Sequence, residues 1–213
     1  MSEIRMVIFD LDGTINDSSP GISYCFRKTG EKFGVHDIPE EKLNYGLSGP
    51  FVENITYILD LKPEQVDEAI KTYVGFYTAE GQSMSCLFGG MKDALRYLKS
   101  KGYLLGVATM MVEEYAKSTL QRYGILDMFD TVNGASFVVP YTKKDLIERC
   151  LTAMDVSPEE AVVIGDGTDD HRSANLCGTR FMGVTYGYEI DKEYCEEHGI
   201  EAIEFPGQII DLF

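Results

Sequence analysis

"MVIFDLDGTIND", residues 6–17, decides the fold. Met6, Val7, Ile8 and Phe9 run without a break into Asp10, and Asp12, Gly13 and Thr14 follow at once. A continuous apolar run of this kind is a strand buried on both faces, the parallel-sheet type. Ending it on two carboxylates and a glycine turn puts acidic groups at the end of a sheet, where open α/β sheets bind their ligands.

Outward from that stretch, "YLLGVAT" (103–109), "AVVIGD" (161–166) and "RFMGVTY" (180–186) read as further strands, and "IRMVIF" (4–9) as the full first one. Helical periodicity fills the spaces between them, over 90–102, 112–124, 143–154 and 170–178. Strands alternating with helices predict an open parallel α/β sheet with helices on both faces. The interval from 9 to 103 is far longer than a crossover of a dozen or so residues requires. Within it, "PGISYCFRKTGEKFG", "PFVENITYILD" and "PEQVDEAIKTYVGFYTAEG" each start on Pro and carry apolar residues at helical spacing. The expected organisation is a discontinuous core, 1–15 and 84–213, with an inserted all-helical domain over 16–83.

The chain has 213 residues, of which 44% are apolar, enough for a substantial core. Its formal charge of −16 repels phosphate backbones and so argues against nucleic-acid binding. A small anionic substrate needs a metal ion or a local lysine to be held on such a surface. Five cysteines, an odd number without a CxxC pair, predict reduced thiols in a cytoplasmic protein. The start "MSEIRMVIFD" is not a signal peptide, and no apolar run approaches the ~18 residues of a membrane span.

Three strand ends carry chemically able groups: Asp10 and Asp12, Thr109, and Asp166 with Asp170 in "GDGTDD". Each alone is an ordinary strand-end cap or hydroxyl. Together, carboxylates converging from two strands repel one another unless a cation lies between them, and hard oxygen ligands suit Mg²⁺. Lys143 and Lys144 open the helix between the last two of these strands. Lys143 precedes the apolar Leu146 and Ile147 by three and four residues, so it shares their inward face. Lys144 leads instead to Glu148, an exposed i,i+4 partner. His36, His171 and His198 show no shared spacing.

"DLDGTINDS", "GVATM", Lys143 and "GDGTDD" fall in the order of four signatures, and in them the chain resembles the phosphatase branch of the haloacid dehalogenase superfamily. "SSPGI" (18–22), "GPFVENI" and "GVTYGY" look most like its phosphoglycolate-phosphatase-like members, which carry a small helical cap. The chain departs from them at Met110 and Met111, where Ser-Lys or Asn-Lys is frequent, and in lacking an Asp-Gly pair before the lysine. The resemblance implies that Asp10 attacks phosphorus and becomes an aspartyl-phosphate. Asp12 then acts as general acid and base. It implies Mg²⁺ held by Asp10, Asp166 and the backbone carbonyl of Asp12, and phosphate oxygens bound by Thr109 and the N–H of Met110. Gly13 makes the turn and exposes backbone N–H groups to phosphate, Lys143 neutralises charge, and Asp170 orients its neighbours. An acid at position 12 favours phosphoryl transfer over halide displacement, which has no leaving oxygen to protonate. A nucleotidase, a pyrophosphatase and a sugar phosphomutase share this chemistry. A phospho-receiver signalling domain uses similar groups but leaves the helical insert unexplained. The expected partner is a small phosphorylated substrate, with the loop over 45–54 as the place that reads its leaving group.

Overall fold

The structure is a computed structural model that describes residues 3–213. In chain order the elements are β1 (Met6–Phe9), β2 (Asn16–Asp17), α1 (Ser19–Phe33), α2 (Glu40–Tyr45), α3 (Phe51–Ile58), α4 (Val66–Ala79) and β3 (Cys86–Leu87). They continue with α5 (Met91–Ser100), β4 (Leu104–Val112), α6 (Glu113–Arg122), β5 (Thr131–Ala135), α7 (Lys143–Met154) and β6 (Ala161–Gly165). The last are α8 (Thr168–Cys177), β7 (Arg180–Val184), α9 (Lys192–His198), β8 (Glu201–Ile203) and α10 (Ile209–Leu212).

A six-stranded parallel sheet in the order β5-β4-β1-β6-β7-β8 forms the frame. β1 lies inside it, which accounts for its unbroken apolar sequence. Val7 and Phe9 face one cluster with Leu105, Val107, Val162 and Ile164, covered by α5 and α6. Met6 and Ile8 face the other, with Ala161 and Val163, covered by α7 and α8. The two-residue period of the strand thus feeds both cores at once.

Two strands of this sheet, β5 and β8, escape the sequence reading. Both are edges, with one hydrogen-bonded neighbour each, so neither needs a run of apolar residues. β5 even buries Asn133, whose amide donates to Thr131 Oγ1 and accepts from Arg149 Nε. The expected end of the second strand at Thr109 is also corrected: β4 continues to Val112, with a register shift between Thr109 and Val112. That irregularity leaves Met110 half exposed directly beside a buried Thr109.

The described chain divides into two compact units, one made of the residues up to Asn16 with Leu87–Phe213, the other Asp17–Cys86. The sequence reading sets the same crossings at 15/16 and 83/84. In the second unit, Cys25, Phe26, Leu43, Ile55, Ile58 and Ala69 from α1–α4 build a separate apolar core. The start of α1 meets the turn after α4 so closely that a Cβ on Gly21 would stand 2.1 Å from the Gly81 carbonyl oxygen. The short α2 carries a single buried residue, Leu43, too little for a periodic signal. Among the described residues no helix is long and apolar enough to cross a membrane, and all five cysteines are free thiols.

Candidate active site

Strand register brings the acidic residues to one end of the sheet. Phe9 pairs with Val107 on one side and with Ile164 on the other. Thr109 and Asp166 therefore both lie two residues beyond the rung of Phe9, flanking the turn after Asp10. The ladder continues into the site through Asp10 N–H, which donates to the Ile164 carbonyl at 2.9 Å.

Asp10, Asp166 and Asp170 are buried, and each offers a carboxylate oxygen within 4.8 Å of the other two. Lys143, only 5% exposed, reaches in from the first turn of α7, with Nζ 2.5 Å from Asp10 Oδ1 and 2.8 Å from Asp170 Oδ1. Thr142 caps that helix and exchanges hydrogen bonds with Asp145, fixing where Lys143 begins. Lys144 turns outward and pairs with Glu148. Three carboxylates facing one ammonium hold protons more tightly than isolated acids. Burial lifts Asp166 well above the ordinary carboxylate range, with Asp10 and Asp170 adding to the rise. Burial likewise raises Asp10, against the pull of Lys143, and pushes Asp170 up to about 6. Burial also works against the charge on Lys143, but Asp10 and Asp170 keep its pKa above that of a free lysine.

The donor set fits a hard divalent cation. All three groups offer oxygen, and Asp170 Oδ1 is buried without a hydrogen-bond donor although the Lys143 ammonium lies beside it. The Asp170 carboxylate is aimed by its other oxygen, which accepts from Gly167 N at 3.0 Å. A Cβ on Gly165 would stand 2.5 Å from that same Oδ2, so the glycine of "IGD" makes room for Asp170.

Several supporting residues were not singled out in the sequence. Thr14, fully buried, donates from Oγ1 to Asp166 Oδ1 at 3.0 Å. Tyr188 N donates to Asp166 Oδ2 at 2.8 Å, and Tyr186 Oη donates to the Thr14 carbonyl at 2.9 Å. The tyrosines lie 20 or more positions downstream in "GVTYGY", and their only local signal is the glycine between them.

Gly13 adopts φ +84°, and a Cβ there would stand 2.1 Å from Asp166 Oδ2. The expectation that its N–H faces phosphate is corrected: that N–H is donated to the Asn16 carbonyl at 2.8 Å. Gly13 acts through its conformation and its lack of a side chain. The Asp12 carboxylate stands apart from the buried trio and is half-buried, with Oδ1 accepting from Asn16 Nδ2 at 2.7 Å. Thr109 Oγ1 accepts from Met111 N at 3.0 Å, which leaves its hydroxyl proton to donate elsewhere.

A family model of haloacid dehalogenase-like hydrolases matches residues 7–184. The chain belongs to that family. Tyrosine-protein kinase PtkA of Mycobacterium tuberculosis is 34% identical over 86% of this chain, which covers only 63% of the kinase. The chain thus spans less than two thirds of that relative's length. A phosphoglycolate phosphatase of Vibrio vulnificus is 28% identical over 87% of this chain and 86% of its own. Among solved structures, a haloacid dehalogenase-like family hydrolase from Streptococcus pneumoniae superposes with a TM-score of 0.90 at 28% identity, over 100% of both chains.

Proposed function

We propose that this protein is a Mg²⁺-dependent phosphatase that hydrolyses a small phosphomonoester through an aspartyl-phosphate on Asp10. The observation that carries the reading is the buried trio of Asp10, Asp166 and Asp170 facing Lys143, with Asp12 one turn residue away. The phosphatase relatives and family membership support it.

A carboxylate oxygen of Asp10 attacks phosphorus. The bond from phosphorus to the leaving oxygen breaks, and that oxygen takes the proton of Asp12. Asp12, now ionised, removes a proton from water. The water oxygen attacks phosphorus, the bond to Asp10 breaks, inorganic phosphate leaves, and both aspartates regain their starting states. Lys143 holds Asp10 in place and offsets charge on the phosphoryl group. The Thr109 hydroxyl and the Met110 N–H are assigned to phosphate oxygens. Asp10, Asp166 and the Asp12 backbone carbonyl would hold Mg²⁺, with Asp170 orienting the set, and the bound ion would stabilise phosphoryl charge.

The helical unit 17–86 is assigned as the cap that reads the leaving group. Its loop over 45–54 is braced from within, because Asn54 Nδ2 donates to the Ser48 carbonyl at 2.6 Å. Phosphoglycolate is the first substrate to try, given the named relatives. Five free thiols support a reducing, cytoplasmic setting.

A second reading, phosphoryl transfer to a protein tyrosine, has the mycobacterial kinase relative behind it. One experiment separates the two. Orthophosphate release is measured from a panel of phosphomonoesters with Mg²⁺ and with chelator, beside transfer of labelled phosphate from ATP to tyrosine. Chelator-sensitive turnover of an ester is the expected result. Label on tyrosine without ester turnover overturns the phosphatase reading, and full turnover in chelator overturns the metal.

A further inference from the structure

Asn16 is completely buried, yet it is polar and lies four residues beyond Asp12. Its backbone closes the catalytic turn, with its N–H donating to the Leu11 carbonyl at 2.8 Å and its carbonyl accepting from Gly13 N at 2.8 Å. Its side chain is also committed at both ends. Nδ2 donates to Asp12 Oδ1 at 2.7 Å, and Oδ1 accepts from the hydroxyl of Tyr123, which follows α6. Arg122 NH2 in turn donates to Tyr123 Oη at 3.2 Å.

The direction of this chain is forced by its far end. A guanidinium can only donate, so Tyr123 Oη accepts from Arg122. The single hydroxyl proton of Tyr123 then goes to Asn16. An amide that accepts through its oxygen must present its N–H₂ on the other side, toward Asp12. Asp12 Oδ1 is therefore an acceptor in either protonation state, because a donor already faces it. When Asp12 is a neutral acid, its proton is directed to Oδ2.

We infer that Asn16, oriented by Tyr123, is a positioning residue that confines the transferable proton of Asp12 to one oxygen. The inference rests on the phosphatase reading above. The proton given to the leaving oxygen and the proton later taken from water then pass through the same atom, Oδ2, while Oδ1 stays anchored. Neither Asn16 nor Tyr123 touches substrate in this assignment.

Positioning of an acid has a signature that general support of the fold lacks. It matters most where the leaving oxygen needs a proton. An alkyl phosphate departs as an alkoxide and depends on that proton, whereas p-nitrophenyl phosphate departs as a stabilised phenolate and scarcely does. The test compares kcat/KM for the two esters in the wild type, Asn16→Ala and Tyr123→Phe, since kcat/KM reports the phosphorylation step. Asn16→Ala is expected to lose about tenfold or more on the alkyl ester, part of the ~10²–10⁴ a positioned general acid contributes, and much less on the nitrophenyl ester. Tyr123→Phe keeps its ring on the surface, guards against a folding defect, and should lose in the same direction by a smaller factor. Equal losses on both esters, or no loss, overturn this inference and leave the phosphatase reading standing. A wild type that releases phosphate from neither ester overturns both.

Discussion

Lys143 Nζ lies 2.5 Å from Asp10 Oδ1, while the adjacent Lys144 pairs with Glu148 in solvent. Successive positions on a helix differ by about 100° in direction, so two neighbouring lysines cannot serve one site. Lys143→Ala is expected to lower kcat by at least ~10²–10³, the usual cost of removing a preorganised charge contact. Lys144→Ala should stay within about twofold of wild type, as for other exposed i,i+4 pairs. Phosphate release by both variants, after circular dichroism shows that each is folded, decides between them. An active Lys143→Ala beside an inactive Lys144→Ala would reverse the assignment.

Asp10 is the first residue past β1 and is only 8% exposed, held on one side by the sheet and on the other by Lys143. Its amide counterpart cannot attack phosphorus, so Asp10→Asn should lose at least ~10³ in rate, beyond the loss of a single stabilising donor. Rapid quenching of wild type during turnover should show a phosphate-mass adduct that maps to Asp10. An adduct on Asp12 instead would exchange the two roles.

Mg²⁺ binding should depend on pH with a sign set by Asp170. Its folded pKa of about 6 lies above the ordinary aspartate value. A raised carboxyl pKa contributes stability that is complete below about pH 4 and is lost as pH rises through about 6. Mg²⁺ acts in the opposite sense, since it needs the ionised carboxylates. Its affinity, and the rise in Tm it produces, should therefore be larger at about pH 7.5 than at about pH 5. Asp145 and Glu113, whose pKa values are lowered by their hydrogen-bond and charge partners, act only at lower pH. Calorimetric titration at the two pH values measures it. A pH-independent affinity would remove Asp170 and its neighbours from the metal site.

Much of the core could be read from the sequence because β1 and β6 are enclosed by neighbours on every side and can only be apolar. "TVNGA" of β5 could not be read so, since an edge strand has one partner, and Asn133 is satisfied by Arg149 across the sheet face. The same contrast holds in the site. Asp10, Asp166 and Lys143 sit at element ends, where periodicity stops and chemistry shows. Asn16, Tyr123, Thr14 and Tyr186 act through contacts separated by 107 and 172 positions, and no local pattern encodes such pairs.

Asp166 provides the last prediction, because it is fixed from three sides. Thr14 Oγ1 and Tyr188 N each donate to one of its carboxylate oxygens, and Ile190 N donates to its backbone carbonyl at 2.9 Å. Gly187 closes the cradle: a Cβ there would stand 2.3 Å from Asp166 Cβ and 2.6 Å from its Cγ. Gly187→Ala must therefore displace either the carboxylate or the loop that holds it. Mg²⁺ affinity should fall by about 10–100-fold, as for other losses in the shell around metal ligands. Tyr186→Phe is the milder probe. Its ring keeps the edge-on contact with Phe88 at 4.9 Å, and only the hydrogen bond to the Thr14 carbonyl is lost. That bond is worth about 0.5–1.5 kcal/mol, or a drop of a few degrees in Tm for a chain of this size. Because Thr14 would then hold Asp166 less firmly, Mg²⁺ affinity should fall as well, but by less than in Gly187→Ala. Titration calorimetry with Mg²⁺ and thermal unfolding without it separate the two effects. An unchanged Mg²⁺ affinity in Gly187→Ala would show that the cradle supports the fold alone and leaves the placement of Asp166 to the strand.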